Sequence, residues 1–100
     1  MFVFEDIIKL DDRSMQRLLR DVDSKDLAIA LKGTSDELKE HVFRNQSARA
    51  SEMLREEIEL TGPVRLRTIE EAQQRIVTTV RRLEEAEEII VSRESEDIVL

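Results

Sequence analysis

Two glycines and one proline in 100 residues leave this chain little with which to build long loops. Left-handed turns and fixed-φ corners draw on those two residue types. The connections must therefore be few and short, and most of the chain must go into regular structure. Leu, Glu, Arg and Ala dominate, and all four are strong helix formers. The fold class these facts predict is all-α, a bundle or a helical stack. A hydrophobic share of 40% suffices for one core, but a chain of this length builds a single domain with no deep cleft.

Charge narrows the function classes. Lys and Arg total 16 against 23 Asp and Glu, a net charge of −7. Such a surface repels phosphates, so no nucleic-acid partner is expected. The absence of cysteine removes disulfides, thiolate metal sites and a thiol nucleophile. One histidine does not build a histidine-based metal cluster. No apolar run approaches the roughly 20 residues that span a bilayer, so no direct membrane insertion is expected. No stretch has the form of a signal peptide, and a cytoplasmic setting is the default.

Along the chain, Met1-Phe2-Val3-Phe4 is unusually apolar for a terminus. Either the chain is a piece of something longer, or the two phenylalanines anchor this end to the core. Asp11 and Asp12 read as N-caps of a first helix with Met15, Leu18, Leu19 and Val22 at helical spacing. A second helix from about Ser24 is apolar all round over Leu27–Leu31, the pattern of a buried central element. Gly33 is expected to end it as a left-handed cap. Thr34 with Glu37 reads as a capping box for a third helix carrying Leu38, Val42 and Phe43. A fourth helix runs from about Ser47 to Thr61, where Gly62-Pro63 stops it. Thr68 with Glu71 reads as a second capping box, opening a helix with Ile69, Ala72, Ile76, Val80 and Leu83 on one face. That stripe reads as core, since it spans too few heptads for a coiled coil. Ile89-Ile90-Val91 and Ile98-Val99-Leu100 flank a polar stretch and allow either a small hairpin or an extended tail.

No catalytic constellation stands out, and the chain is not expected to be an enzyme. No carboxylate pair sits in an apolar setting that would shift its pKa. His41 has no Ser or Cys partner and reads as structural. No glycine-rich phosphate cradle exists, and no cofactor or metal site is expected.

The fourth helix is the most informative. With successive residues about 100° apart, Ala50, Met53, Leu54, Ile58 and Leu60 fall on one arc, expected to be buried. Arg49, Glu52 and Glu56 form a mixed-sign ridge along its edge. Glu57 falls inside the apolar arc and must reach solvent or pair with a cation. Arg65, just past Gly62-Pro63, is the expected partner. On pattern alone the ridge is an ordinary solvated face.

Several strings occur together in order: Met1-Phe2-Val3-Phe4, Asp11-Asp12-Arg13-Ser14, Ala30-Leu31-Lys32-Gly33, Ser47-Ala48-Arg49-Ala50, Gly62-Pro63-Val64-Arg65-Leu66 and Arg81-Arg82-Leu83-Glu84. Over essentially its whole length the chain resembles the C-terminal domain of FliG, the rotor and switch protein of the bacterial flagellar motor. The resemblance implies a compact, armadillo-like stack of about six short helices, with three parts. Residues 1–4, Met1 to Phe4, would be a hinge to a preceding region, 5–88 the stator-facing domain, and 89–100 a tail. It implies stator-interacting charges at Lys32, Arg49, Glu56, Glu57 and Arg65, with Gly62 and Pro63 as the helix stop. It implies the stator protein MotA as partner. It also implies FliM, FliN, FliF and neighbouring FliG copies through the full-length protein, at the cytoplasmic face of the inner membrane in the flagellar basal body. Three departures stand out: an acidic pair that is Glu-Glu, Gln46 where relatives commonly have Met, and Glu87 where they commonly have Gly. A second reading stays open, an adaptor that binds a helical partner through an apolar groove, with its charges serving solubility.

Overall fold

The computed structural model describes residues 2–91, and its described part is entirely helical. A 3-10 helix, Phe4–Lys9, leads into α1 (Asp12–Asp21), α2 (Ser24–Leu31), α3 (Asp36–Arg44), α4 (Ala48–Thr61) and α5 (Leu66–Glu85). The all-α stack of short helices is therefore as expected. The 3-10 helix was not foreseen, because six residues in that geometry carry no 3.6-residue pattern.

Four helices begin on a short polar side chain that accepts a backbone N–H. Asp11 caps α1 through Ser14 at 2.8 Å, Asp23 caps α2 through Lys25, Ser35 caps α3 through Leu38, and Ser47 caps α4 through Ala50. These bonds satisfy donors that the first turn leaves orphaned. Both expected capping boxes are corrected. The Thr34 hydroxyl turns back to the Leu31 carbonyl, so the cap falls one residue later on Ser35. Thr68 lies inside α5, whose cap residue is Arg65. There the extended backbone after Pro63 lets the helix begin at once.

Gly33 also differs from expectation. Among the described residues only Gly62 (φ 65°) and Glu87 (φ 59°) have positive φ. Gly33 is needed for space instead, since a Cβ there would lie 2.9 Å from Ile69 Cγ2. The missing side chain lets the end of α2 approach α5. Helix α2 packs against both α4 and α5, with Leu27, Ala28, Ala30 and Leu31 buried. Gln73 on α5 donates to the Ala30 carbonyl at 3.0 Å, and Arg75 grips Asp26 with two N–H groups.

The start of the chain is pinned to this stack. Phe4, Ile7 and Leu10 are buried, and Phe2 packs against the core, in keeping with the anchoring reading. The Ser35 N–H donates to the Glu5 carboxylate at 3.1 Å. His41 is structural. Its Nε2 donates to the Leu10 carbonyl at 2.8 Å, since a carbonyl only accepts, and its Nδ1 accepts from Arg44 at 2.8 Å.

Helix α5 ends in a Schellman turn: Glu88 N–H bonds the Leu83 carbonyl and Glu87 N–H that of Glu84. The turn therefore forms with glutamate in the left-handed position. It carries Ile89 and Val91 into the core, and the Ile90 N–H donates to Ser14 Oγ at 3.2 Å on α1. Ile98-Val99-Leu100, on which the hairpin question turned, lies outside the described residues.

Two predictions follow from these local features. Left-handed backbone at a non-glycine residue is strained, while glycine loses more chain entropy on folding. Glu87→Gly should therefore raise stability by about 0.5–1 kcal/mol, a Tm gain of a few degrees in a thermal melt. Asp21 accepts from Arg82 at 2.8 Å and from Arg17 at 3.0 Å, and these bonds, Arg82 first, hold its carboxyl below the usual 3.8. Asp12 is lowered by Asn45 and Arg44, and Asp11 by Ser14. A lowered carboxyl contributes stability that is complete above its unfolded value and is lost as pH falls through the folded one. Chemical denaturation across the acid range should show stability falling below about pH 4. Asp21→Asn should lower stability at neutral pH and flatten that fall.

Candidate functional site

Helix α4 is held from one side. Its principal neighbour is α2, and it buries a narrow stripe: Leu54 is buried, with Ala50 and Ile58 half-buried beside it. The expected apolar arc is about 160° wide at 100° per residue, wider than one neighbouring helix covers. Met53 and Leu60 sit at its edge and are corrected from buried to exposed, at 59% and 85%.

Three bonds fix the orientation of α4. The Ser51 hydroxyl donates to the Phe43 carbonyl at 3.0 Å, joining the helix to the end of α3. The Arg55 guanidinium lies 4.0 Å from the centre of the Phe43 ring, a cation–π contact that covers this aromatic. At the other end, Lys32 Nζ donates to the Ile58 carbonyl at 3.0 Å. Its positive charge thus meets the negative end of the α4 dipole.

The five residues expected to meet a stator therefore have different settings. Arg49 and Glu56 are exposed, as is Arg65 beyond the Gly62 turn. Glu57 is half-buried, as its place inside the apolar arc predicted. Lys32 is half-buried and already engaged with α4. The expected Glu57–Arg65 pair does not form: no ion pair involves either residue among the described residues. Gly62 turns the chain in left-handed backbone, and the extended Pro63–Arg65 segment leads away into α5.

A contrast across the molecule marks α4 out. The ion pairs of the described structure tie α1 to α3, α5 and the C-terminal turn, and α2 to α5, or lie within single elements. None includes a charged side chain of α4. Glu52, Glu56, Glu59 and Arg49 thus present their charge to solvent rather than to one another, with Glu57 half-buried beside them.

Two adjoining hollows follow this helix. Ser24, Leu27, Gln46, Ala50, Met53, Leu54 and Glu57 line one of about 150 Å³. Lys25, Met53, Glu56, Glu57, Leu60 and Thr61 line a shallower one of about 570 Å³. Gln46, singled out in the sequence only as a departure, has its Oε1 buried with no hydrogen-bond partner among the described residues. Among the described residues no group of acidic, His or Cys side chains is placed to hold a metal ion, and no helix is long and apolar enough to cross a membrane.

An unsatisfied buried acceptor costs about 1–3 kcal/mol. Gln46→Met, which removes it at similar size, should raise stability by about 1 kcal/mol in urea titration, with the slope unchanged.

Comparison with known proteins gives consistent matches. Residues 1–91 match the family model of the FliG C-terminal domain. The chain is 63% identical over 93 residues to the flagellar motor switch protein FliG of Thermotoga maritima, which covers 93% of this chain and 28% of that protein. It is 54% identical over 100 residues to FliG of Bacillus subtilis, covering 100% and 30%. The chain thus spans less than a third of the length of these relatives. A crystallised FliG fragment from Helicobacter pylori superposes with a TM-score of 0.90 at 37% identity, over 92% of this chain and 40% of that one. Full-length FliG from Aquifex aeolicus superposes at 0.82 with 40% identity, over 85% and 26%.

Proposed function

Because this chain belongs to the family of FliG C-terminal domains, we propose that it works in a flagellar rotor and that α4 is its torque-bearing face. On this reading the charged cytoplasmic loop of the stator protein MotA moves past Arg49, Glu56, Glu57 and Arg65. It attracts and repels them in turn and drives the rotor sideways. FliM, FliN, FliF and neighbouring FliG copies would be engaged through a longer protein, at the cytoplasmic face of the inner membrane. Residues 1–4 would serve as the hinge that reorients the face when rotation reverses, with 5–88 the stator-facing body and 89–100 its tail.

The observation that supports this reading is that, among the described residues, no charged side chain of α4 takes part in an ion pair. A charge already paired within its own domain must lose that bond before meeting a partner. An exposed, unpaired charge meets and leaves a partner with no such exchange, and exposed contacts are individually weak. A contact made and broken at every step needs that property.

Lys32 has a different part. Its bond to the Ile58 carbonyl fixes the end of α4, so it positions the face as well as adding charge to it. Glu57 adds a carboxylate set back toward the apolar stripe.

Charge reversal in swimming cells tests the proposal. Arg49→Glu and Glu56→Lys should each slow rotation of tethered cells more than Arg49→Ala or Glu56→Ala. Reversing a charge of opposite sign on the stator loop should partly restore it, with a positive coupling in the double-mutant cycle. No restoration by any pairing of rotor and stator reversals would rule out direct charge contact.

A further inference from the structure

Arg55 differs from the other arginines that join elements of the described structure. Arg17, Arg44, Arg75 and Arg82 each grip a carboxylate on another element. Arg55 instead lies 4.0 Å from the centre of the Phe43 ring. Phe43 stands near the end of α3 and, at 9% exposure, belongs to the core.

Carboxylates are close at hand along α4 itself. Residues three and four apart on a helix are neighbours, so Glu52 and Glu59 stand one turn to either side of Arg55. At 100° per residue both lie within about 60° of it around the axis. Both are exposed, and neither forms an ion pair among the described residues. An arginine with two carboxylates beside it has been drawn to a ring.

The opposite flank of Arg55 gives the reason. Ser51 lies one turn before it, about 40° around the axis, and its hydroxyl donates to the carbonyl of the same Phe43 at 3.0 Å. Two successive turns of α4 are thus fastened to one residue of α3, which brings the ring under the guanidinium. A cation over an aromatic face holds at least as well as an exposed helical ion pair. The guanidinium is also flat and weakly hydrated, so it stacks with little loss of solvation. The ring keeps the cation, and the two carboxylates keep their charge.

We propose that Phe43 sets the charge of the α4 face by holding Arg55 away from Glu52 and Glu59. Phe43 is a positioning residue: it acts through the arginine and needs no contact with a partner. With Arg55 drawn back toward α3, Glu52 and Glu59 stand uncompensated beside Glu56. Released, Arg55 turns forward and cancels one of them. The inference rests on α4 being the face that works by charge. It adds a residue outside α4 that governs how much charge that face presents.

Solution NMR of the chain tests the contact without any partner. The ring current should move the Arg55 side-chain protons upfield by a few tenths of a ppm, and Phe43→Leu should abolish that shift. In the same variant, NOEs should appear between the Arg55 side chain and Glu52 or Glu59. Unshifted Arg55 protons in the unsubstituted chain, or no new contact to either glutamate in Phe43→Leu, would overturn the proposal. Circular dichroism verifies folding, and Phe43→Met replaces leucine where that variant unfolds.

The consequence is read in tethered cells carrying the substitutions in the full-length rotor protein. Phe43→Leu should slow rotation. Adding Arg55→Gln should return about half or more of the lost speed and match Arg55→Gln alone, because no cation is left to release. A role in packing alone gives the opposite, a double variant as slow as Phe43→Leu or slower, and that result would overturn the proposal. Failure of the rotor–stator charge-reversal rescue is a separate outcome. It would remove the torque-face reading and leave the NMR signature of the Arg55–Phe43 contact standing.

Discussion

The burial of α2 sets the position of the rest. It is eight residues long, and its small side chains Ala28 and Ala30 let neighbouring helices come close on two sides. Gly33 extends that close approach by one residue, because any side chain there would meet Ile69. With α5 fixed against one side by Asp26–Arg75 and by the Gln73 bond, α4 takes the other. A helix supported from one side buries a narrow stripe and leaves the remainder of its surface to solvent. The exposure of α4 is thus a consequence of how a short, apolar α2 is packed.

Electrostatics divides the molecule along the same line. Arg17, Arg44, Arg75 and Arg82 hold α1, α2, α3, α5 and the C-terminal turn together through carboxylates on other elements. Exposed pairs of this kind contribute little singly. Asp21, however, joins Arg17 on its own helix to Arg82 on α5, which makes a small network. The cations that touch α4 do something else. Lys32 meets a backbone carbonyl and Arg55 meets an aromatic ring. Both hold the helix in place without neutralising its carboxylates, so α4 is firmly mounted and electrostatically unspent.

Much of this could be read in the sequence where the signal was local. Asp11, Ser47 and the Gly62-Pro63 stop were legible because capping and chain termination act within a few residues. Leu38, Val42, Ile76 and Val80 were legible as core because their spacing is helical. Met53 and Leu60 were not, because periodicity gives the direction in which a side chain points and not how far the neighbouring helix reaches. The Glu57–Arg65 pairing failed for a related reason. Closeness along the chain does not carry over a Gly-Pro turn that sends the following segment away. Gly33 was recognised as the end of α2, but its cause was a contact with Ile69, 36 positions further on, which no local rule contains.

Two residues break local rules, one in its backbone and one in its side chain. Glu87 holds left-handed backbone at the end of α5, where it faces Arg13 and Arg20 across the surface and lies outside the hollows beside α4. Its strain is a stability loss that a glycine would remove. Gln46 lines the smaller hollow beside α4, but its Oε1 is enclosed and has no hydrogen-bond partner among the described residues. A methionine would pack there with no orphaned atom, so stability alone disfavours glutamine. Gln46 Oε1 is enclosed by the protein itself, so its missing hydrogen bond is a stability loss of the same kind.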